Sequence, residues 1–154
     1  MHAVEHDDRA TARERVTDRP IEAGLELDQF VVDAVSSDRM RIMSALLDDP
    51  TPIHFDIRAV RALGMGDREI NQGPMCLGYL TELVTRWTGD PLRLRRLRCR
   101  LLGNVFAGER LACSGRVTAV DRAAATCELD LVVVAGPRKV AQGDATVAIP
   151  SGRL

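Results

Sequence analysis

Only five of the 154 residues are aromatic, one Trp, one Tyr and three Phe. That is too few to build a stacking platform for nucleic-acid bases. An excess of charge is missing too, since 21 Lys and Arg stand against 22 Asp and Glu for a net charge of −1. No bulk field therefore draws the chain to nucleic acid or to an anionic membrane. No apolar run reaches membrane-spanning length and the N-terminus lacks the hydrophobic core of a secretory signal, so a cytoplasmic location is expected. The four cysteines, Cys76, Cys99, Cys113 and Cys127, lie 23, 14 and 14 residues apart with no C-x-x-C pair. His54 is the single histidine outside the extreme N-terminus. A zinc site thus finds no ligand pattern, no metal or cofactor is expected, and the thiols read as small buried hydrophobes in a reducing compartment.

What is present is an ordinary globular composition, 45% apolar and 28% charged, long enough for one domain with a real core. Residues 1–22 are highly charged, carry almost no large apolar side chains and are expected to form a disordered arm. His2 and His6 fall there and read as exposed filler. Residues 23–154 are expected to form the domain.

Phe30 to Val35 reads as a first strand. Ser36 or Ser37 can cap a helix with Met40, Met43 and Leu47 on one face, ending before Pro50. A short helix is expected over 57–63. Gly73-Pro74 opens the strongest helix, with Cys76, Leu80, Leu83, Val84 and Trp87 at helical spacing and Gly89-Asp90-Pro91 as its stop. Its length of about 22 Å and its apolar bulk mark it as central. Trp87 and Tyr79 are assigned to the core. Four strands follow, over 94–102, 109–120, 125–134 and 139–149, and small residues at Ala141, Gly143 and Ala145 suit a sheet curling around a helix. The order argues for an α+β fold with an antiparallel sheet packed around one helix.

The segment Asp49-Pro50-Thr51-Pro52-Ile53-His54 carries the chemistry. Two prolines keep it from becoming helix, so a carboxylate and an imidazole five residues apart can converge on one bound water. By itself such a stretch could equally be a stiff turn with a core histidine.

Two further blocks accompany it, Ile70-Asn71-Gln72-Gly73-Pro74-Met75 and Val105-Phe106-Ala107-Gly108-Glu109. With all three in this order, residues 25 to 149 resemble the MaoC-like dehydratases, the group containing the (R)-specific enoyl-CoA hydratases. The family signature is close to Gly-Asp-x-Asn-Pro-(Leu/Ile/Val)-His. Here Asp48 stands in place of its glycine and Thr51 in place of its asparagine. The resemblance implies the hotdog fold, an antiparallel sheet wrapped around a long helix and usually dimeric. It also implies catalytic roles for Asp49 and His54 on a water.

Hydration of a 2-enoyl thioester, or the reverse loss of water from a 3-hydroxyacyl thioester, also needs donors for the thioester oxygen. The start of the long helix offers unpaired N–H groups at Gly73 or Met75, whereas Pro74 has none. The expected partners are an acyl thioester of coenzyme A or acyl carrier protein, and a second hotdog chain in a homodimer or a heteromer. Two alternatives stay open: a thioesterase, for which Glu82 is the one acid on the long helix, and a subunit that completes a partner without catalysis. Arg96, Arg98 and Arg100 share a strand face that could hold phosphates, but it reads first as the solvated side of a strand.

Overall fold

In the computed structural model, residues 20–149 are described. Most of the expected arm over 1–22 lies outside them. Its end does not: Ile21 is 8% exposed and packed into the core, so ordered packing starts before position 23.

The elements are β1 (Phe30–Val32), α1 (Ser37–Leu47), α2 (Ile57–Ala62), α3 (Gly73–Thr88), β2 (Leu94–Leu101), β3 (Leu111–Asp121), β4 (Thr126–Ala135) and β5 (Arg138–Ala148). The five strands form one sheet in the order β1-β3-β4-β5-β2, and every pairing is antiparallel. Alternate residues of β3 to β5, among them Leu111, Cys113, Val117, Leu129, Leu131, Val133, Ala145 and Val147, are buried. They meet the apolar stripe of α3, namely Met75, Cys76, Leu80, Leu83, Val84 and Trp87. Burying one face of a sheet against one face of a helix is what the period-2 and period-3.6 patterns dictate.

α3 begins and ends where its residues require. Pro74 sits in the first turn, where no N–H is needed, and Gly89 closes the helix at φ 70 with its N–H on the Thr85 carbonyl at 2.8 Å. Gly143 lets β5 and β2 approach. A Cβ there would collide with the Arg98 carbonyl oxygen of β2, while its 3.4 Å distance to Leu80 Cδ1 on α3 is ordinary contact.

Two expectations change. β1 stops at Val32, not Val35. Val35 is buried at 2% but exchanges its backbone bonds with a loop, N–H to Glu109 and C=O from Gly108, and so leaves the sheet. On α1 the expected apolar face of Met40, Met43 and Leu47 is not the buried one. Met40 and Ser44 are buried, Met43 is half-buried and Leu47 is 47% exposed. A polar side chain from the segment before α3 reaches α1 at Met40 and Ser44, so the helix turns that edge inward and leaves its last turn outside.

None of the described helices is long and apolar enough to cross a membrane.

Candidate functional site

The chain leaves α1 through Asp48, which takes a left-handed conformation at φ 50 and ψ 43. Its N–H and that of Asp49 cap the helix on the Ala45 and Ser44 carbonyls at 3.4 and 2.9 Å. Glycine suits that conformation best, and Asp is among the few other residues that tolerate it. Asp48 itself is exposed.

Asp49 then folds back over its own loop. Its Oδ1 accepts the Thr51 N–H at 3.0 Å, an Asx turn. Because that bond uses the Thr51 backbone, the loop holds without the asparagine of the signature. The Thr51 hydroxyl first, then its N–H, keep the Asp49 carboxyl below the usual carboxylate range. Burial opposes them, and the His54 charge adds a smaller pull downward.

Pro52–His54 form a single 3-10 turn that sets His54 inward, 9% exposed. Its Nδ1 lies 2.5 Å from the Ile70 carbonyl. A carbonyl can only accept, so Nδ1 carries a proton, and Nε2 is the nitrogen left to take one up or give one away. Nε2 is 3.5 Å from Asp49 Oδ2. The structure therefore brings Asp49 and His54 side by side.

The three blocks singled out in the sequence meet here through main-chain bonds. Ile70 N–H donates to the Ile53 carbonyl at 2.9 Å and Asn71 N–H to the Val105 carbonyl at 2.8 Å. Ala107 N–H donates to the Glu69 carbonyl at 2.9 Å. Glu109 Oε2 accepts the Phe106 N–H at 3.0 Å, and its Oε1 is held by Arg138 at 2.7 Å.

The two candidate donors at the start of α3 differ. Met75 N–H is taken by the Gln72 carbonyl at 3.1 Å, so it is not free as it stands. Gly73 N–H has no acceptor among the described residues. A Cβ at Gly73 would lie 2.7 Å from Leu101 Cδ1, which shows how closely that side chain covers the helix start.

Sequence reasoning missed a buried polar layer between α1 and residues 69–72. Glu69, 6% exposed, accepts Ser37 Oγ at 2.5 Å and Arg41 Nη2 at 2.7 Å. Gln72, 1% exposed, donates through Nε2 to the Met40 carbonyl at 2.8 Å and to Ser44 Oγ at 2.7 Å. The one signal for it was Ser44, a polar residue on the face that carries Met40. Asp49 opens on a shallow depression of about 380 Å³ walled by Arg41, Ser44, Ala45, Pro50 and Phe55. His54 is not part of that wall; it stands behind it, 3.5 Å from Asp49.

A larger depression, about 610 Å³, shares no residue with this one. Arg98, Arg100, Arg116 and Lys139 line it together with Asp130 and Asp144. Its mixed sign, and the pairing of Arg96 with Asp144 at 3.0 Å, fit a solvated strand face better than a phosphate cradle. Glu82 is on the outer side of α3, paired with Arg86 at 2.7 Å. Among the described residues no group of three His, Cys, Asp or Glu side chains is placed to share a metal ion.

Compared with solved structures, the chain superimposes on a MaoC-like dehydratase with a TM-score of 0.80 and 21% identity, over 88% of this chain and 42% of that one. This chain has the hotdog fold. The hotdog is also similar to the (R)-hydratase from A. caviae involved in PHA biosynthesis, with a TM-score of 0.76 and 18% identity over 84% and 98% of the two chains. A third similar structure is the ChsH1-ChsH2 complex from Mycobacterium tuberculosis, at 0.73 and 18% over 83% and 98%. The hotdog thus spans less than half of the first of these chains and almost all of the other two. No family model matches the sequence, and no curated protein matches it significantly.

Proposed function

We propose that the chain is a hydro-lyase for acyl thioesters, adding water to a 2-enoyl thioester or removing it from a 3-hydroxyacyl thioester. One observation carries the reading: His54 Nε2 and Asp49 Oδ2 face each other across 3.5 Å, while Nδ1 of the same ring is turned to the Ile70 carbonyl. With the ring in its neutral form both atoms are acceptors, and a water molecule between them can give one proton to each. Its oxygen then keeps lone pairs for Cβ of the substrate.

In hydration, that oxygen bonds to Cβ while His54 Nε2 takes the water proton. The same proton then goes to Cα, and the electron pair of the double bond passes through the thioester enolate. Asp49, held ionised by Thr51, fixes the water. Gly73 N–H, at the positive end of α3, is the assigned donor to the enolate oxygen. Dehydration runs the same steps backwards. Two of the similar structures are a MaoC-like dehydratase and an (R)-hydratase, which supports the kind of reaction. The substrate is assigned as a thioester of coenzyme A or acyl carrier protein, and the site of action as the cytoplasm.

Pure protein mixed with a panel of trans-2-enoyl thioesters should bleach the conjugated absorbance. Asp49→Asn and His54→Ala should each abolish most of that rate. Absence of turnover at every chain length, or unchanged rates in both variants, would overturn the reading.

A second hotdog chain as partner is favoured by the open edge of β2 and by the ChsH1-ChsH2 complex. Leu101 and Leu102, at the end of that strand, are 52% and 43% exposed. A protein inert alone but active when mixed with another hotdog chain would assign it the partner-completing role. The thioesterase alternative has less support, because Glu82 faces solvent.

A further inference from the structure

Ser44 contributes a hydroxyl that the reaction as described leaves unused. It stands late in α1, 7% exposed, and accepts a proton from Gln72 Nε2. The orientation of that amide is fixed by its second contact. The Met40 carbonyl can only accept, so the NH2 end of Gln72 must face it, and Ser44 Oγ beside it must act as acceptor. The Ser44 proton is then left for another partner, and among the described residues none receives it. Ser44 is also a wall of the depression onto which Asp49 opens. Its carbonyl accepts the Asp49 N–H at 2.9 Å, so the two residues are tied together.

We propose that Ser44 is a positioning residue, donating its Oγ proton to the oxygen of the water that Asp49 and His54 share. The inference rests on the hydro-lyase reading, which supplies the shared water; the unassigned Ser44 proton and the common wall with Asp49 stand without it. With both water protons directed to acceptors and one lone pair occupied by Ser44, a single lone pair remains for Cβ. Gln72 acts one step further out: it holds the serine so that its proton turns toward the depression and not back into the helix. The titratable and charged groups around Asp49 are His54 beside it and Arg41 and Asp48 across the depression.

The test uses the intact chain and the variants Ser44→Ala and Ser44→Thr. Alanine is the best helix former, so the first variant should fold. Two readouts are needed, steady-state kinetics on enoyl thioesters and titration of the Asp49 carboxyl by ¹³C NMR without substrate. The expected result for Ser44→Ala is a kcat lower by about 10-fold to 100-fold with KM nearly unchanged, as for loss of one positioning contact. The Asp49 titration should move upward, because a donor acting on the carboxylate through water has gone. Ser44→Thr should restore both.

Turnover by the unaltered chain, with Ser44→Ala changing only its melting temperature, would overturn the role of Ser44 and leave the hydro-lyase reading standing. No turnover by the unaltered chain, with a moved Asp49 titration in Ser44→Ala, would support the Ser44–water–Asp49 link and remove the reaction. An unmoved titration in an inactive protein would remove both.

Discussion

His54 donates its Nδ1 proton to the carbonyl of Ile70 across 2.5 Å, and this bond decides which ring nitrogen faces Asp49. The bond can be separated from the chemistry. His54→Asn keeps an N–H at the δ position and can still reach the carbonyl, but it has no counterpart to Nε2. It should fold normally and lose at least about 100-fold in kcat. His54→Leu removes the donor as well and leaves a buried carbonyl unpaired, at a cost of about 1–3 kcal/mol. Thermal melts and turnover of the two variants check both halves. Equal stability of the two would show the bond to be unimportant to the fold.

Asp48 occupies a left-handed conformation better suited to glycine. Asp48→Gly should therefore raise stability by about 1 kcal/mol and Asp48→Val should lower it by at least as much. Urea unfolding measures both. Activity should change little in Asp48→Gly, since the Asp48 side chain points to solvent.

Gly143 sits opposite Cys99 in the β2–β5 pairing, where a Cβ would strike the backbone of Arg98. Backbone cannot step aside as a side-chain tip can. Gly143→Ala should cost about 3 kcal/mol and loosen β2 first. Faster amide exchange over Leu94–Leu101 than over β3 and β4 is the expected signature.

Alkaline stability should follow the thiols. Burial pushes Cys113 up to about 12 and Cys76 and Cys127 to about 11, from an ordinary value of 9.0. These raised values mean that the folded state holds thiol protons that the unfolded state releases. The contribution is complete below pH 9 and declines as pH climbs toward 11 and 12. Melting temperature should fall across that window, and Cys127→Val should flatten part of the slope. Thiol-reactive reagents at neutral pH should modify Cys99, the half-buried one, before the other three.

Much of the architecture could be read before any coordinates. Alternation at Leu111, Cys113, Val117, Leu129, Leu131 and Val133 is a direct record of a sheet with one face buried. Gly73-Pro74 and Gly89 bracket α3 because each supplies backbone behaviour other residues lack. Asp49 and His54 were visible because prolines frame them. Glu69, Gln72 and Ser44 were not, since a polar residue gives no sequence sign of being buried, and its partners lie 28 to 32 positions away. The inward edge of α1 failed for the same reason: the pattern offered methionines and leucine, and the fold chose Met40 with a serine. Val35 misled because an apolar residue next to a strand looks like more strand.

The contacts that gather residues 53–54, 70–71 and 105–107 are mostly between peptide groups, so they impose almost no demand on which side chains stand there. A loop fastened this way can exchange its reactive groups while its path stays put. New specificities in such a frame can therefore arise by replacing one residue at a time, with no need to rebuild the joint.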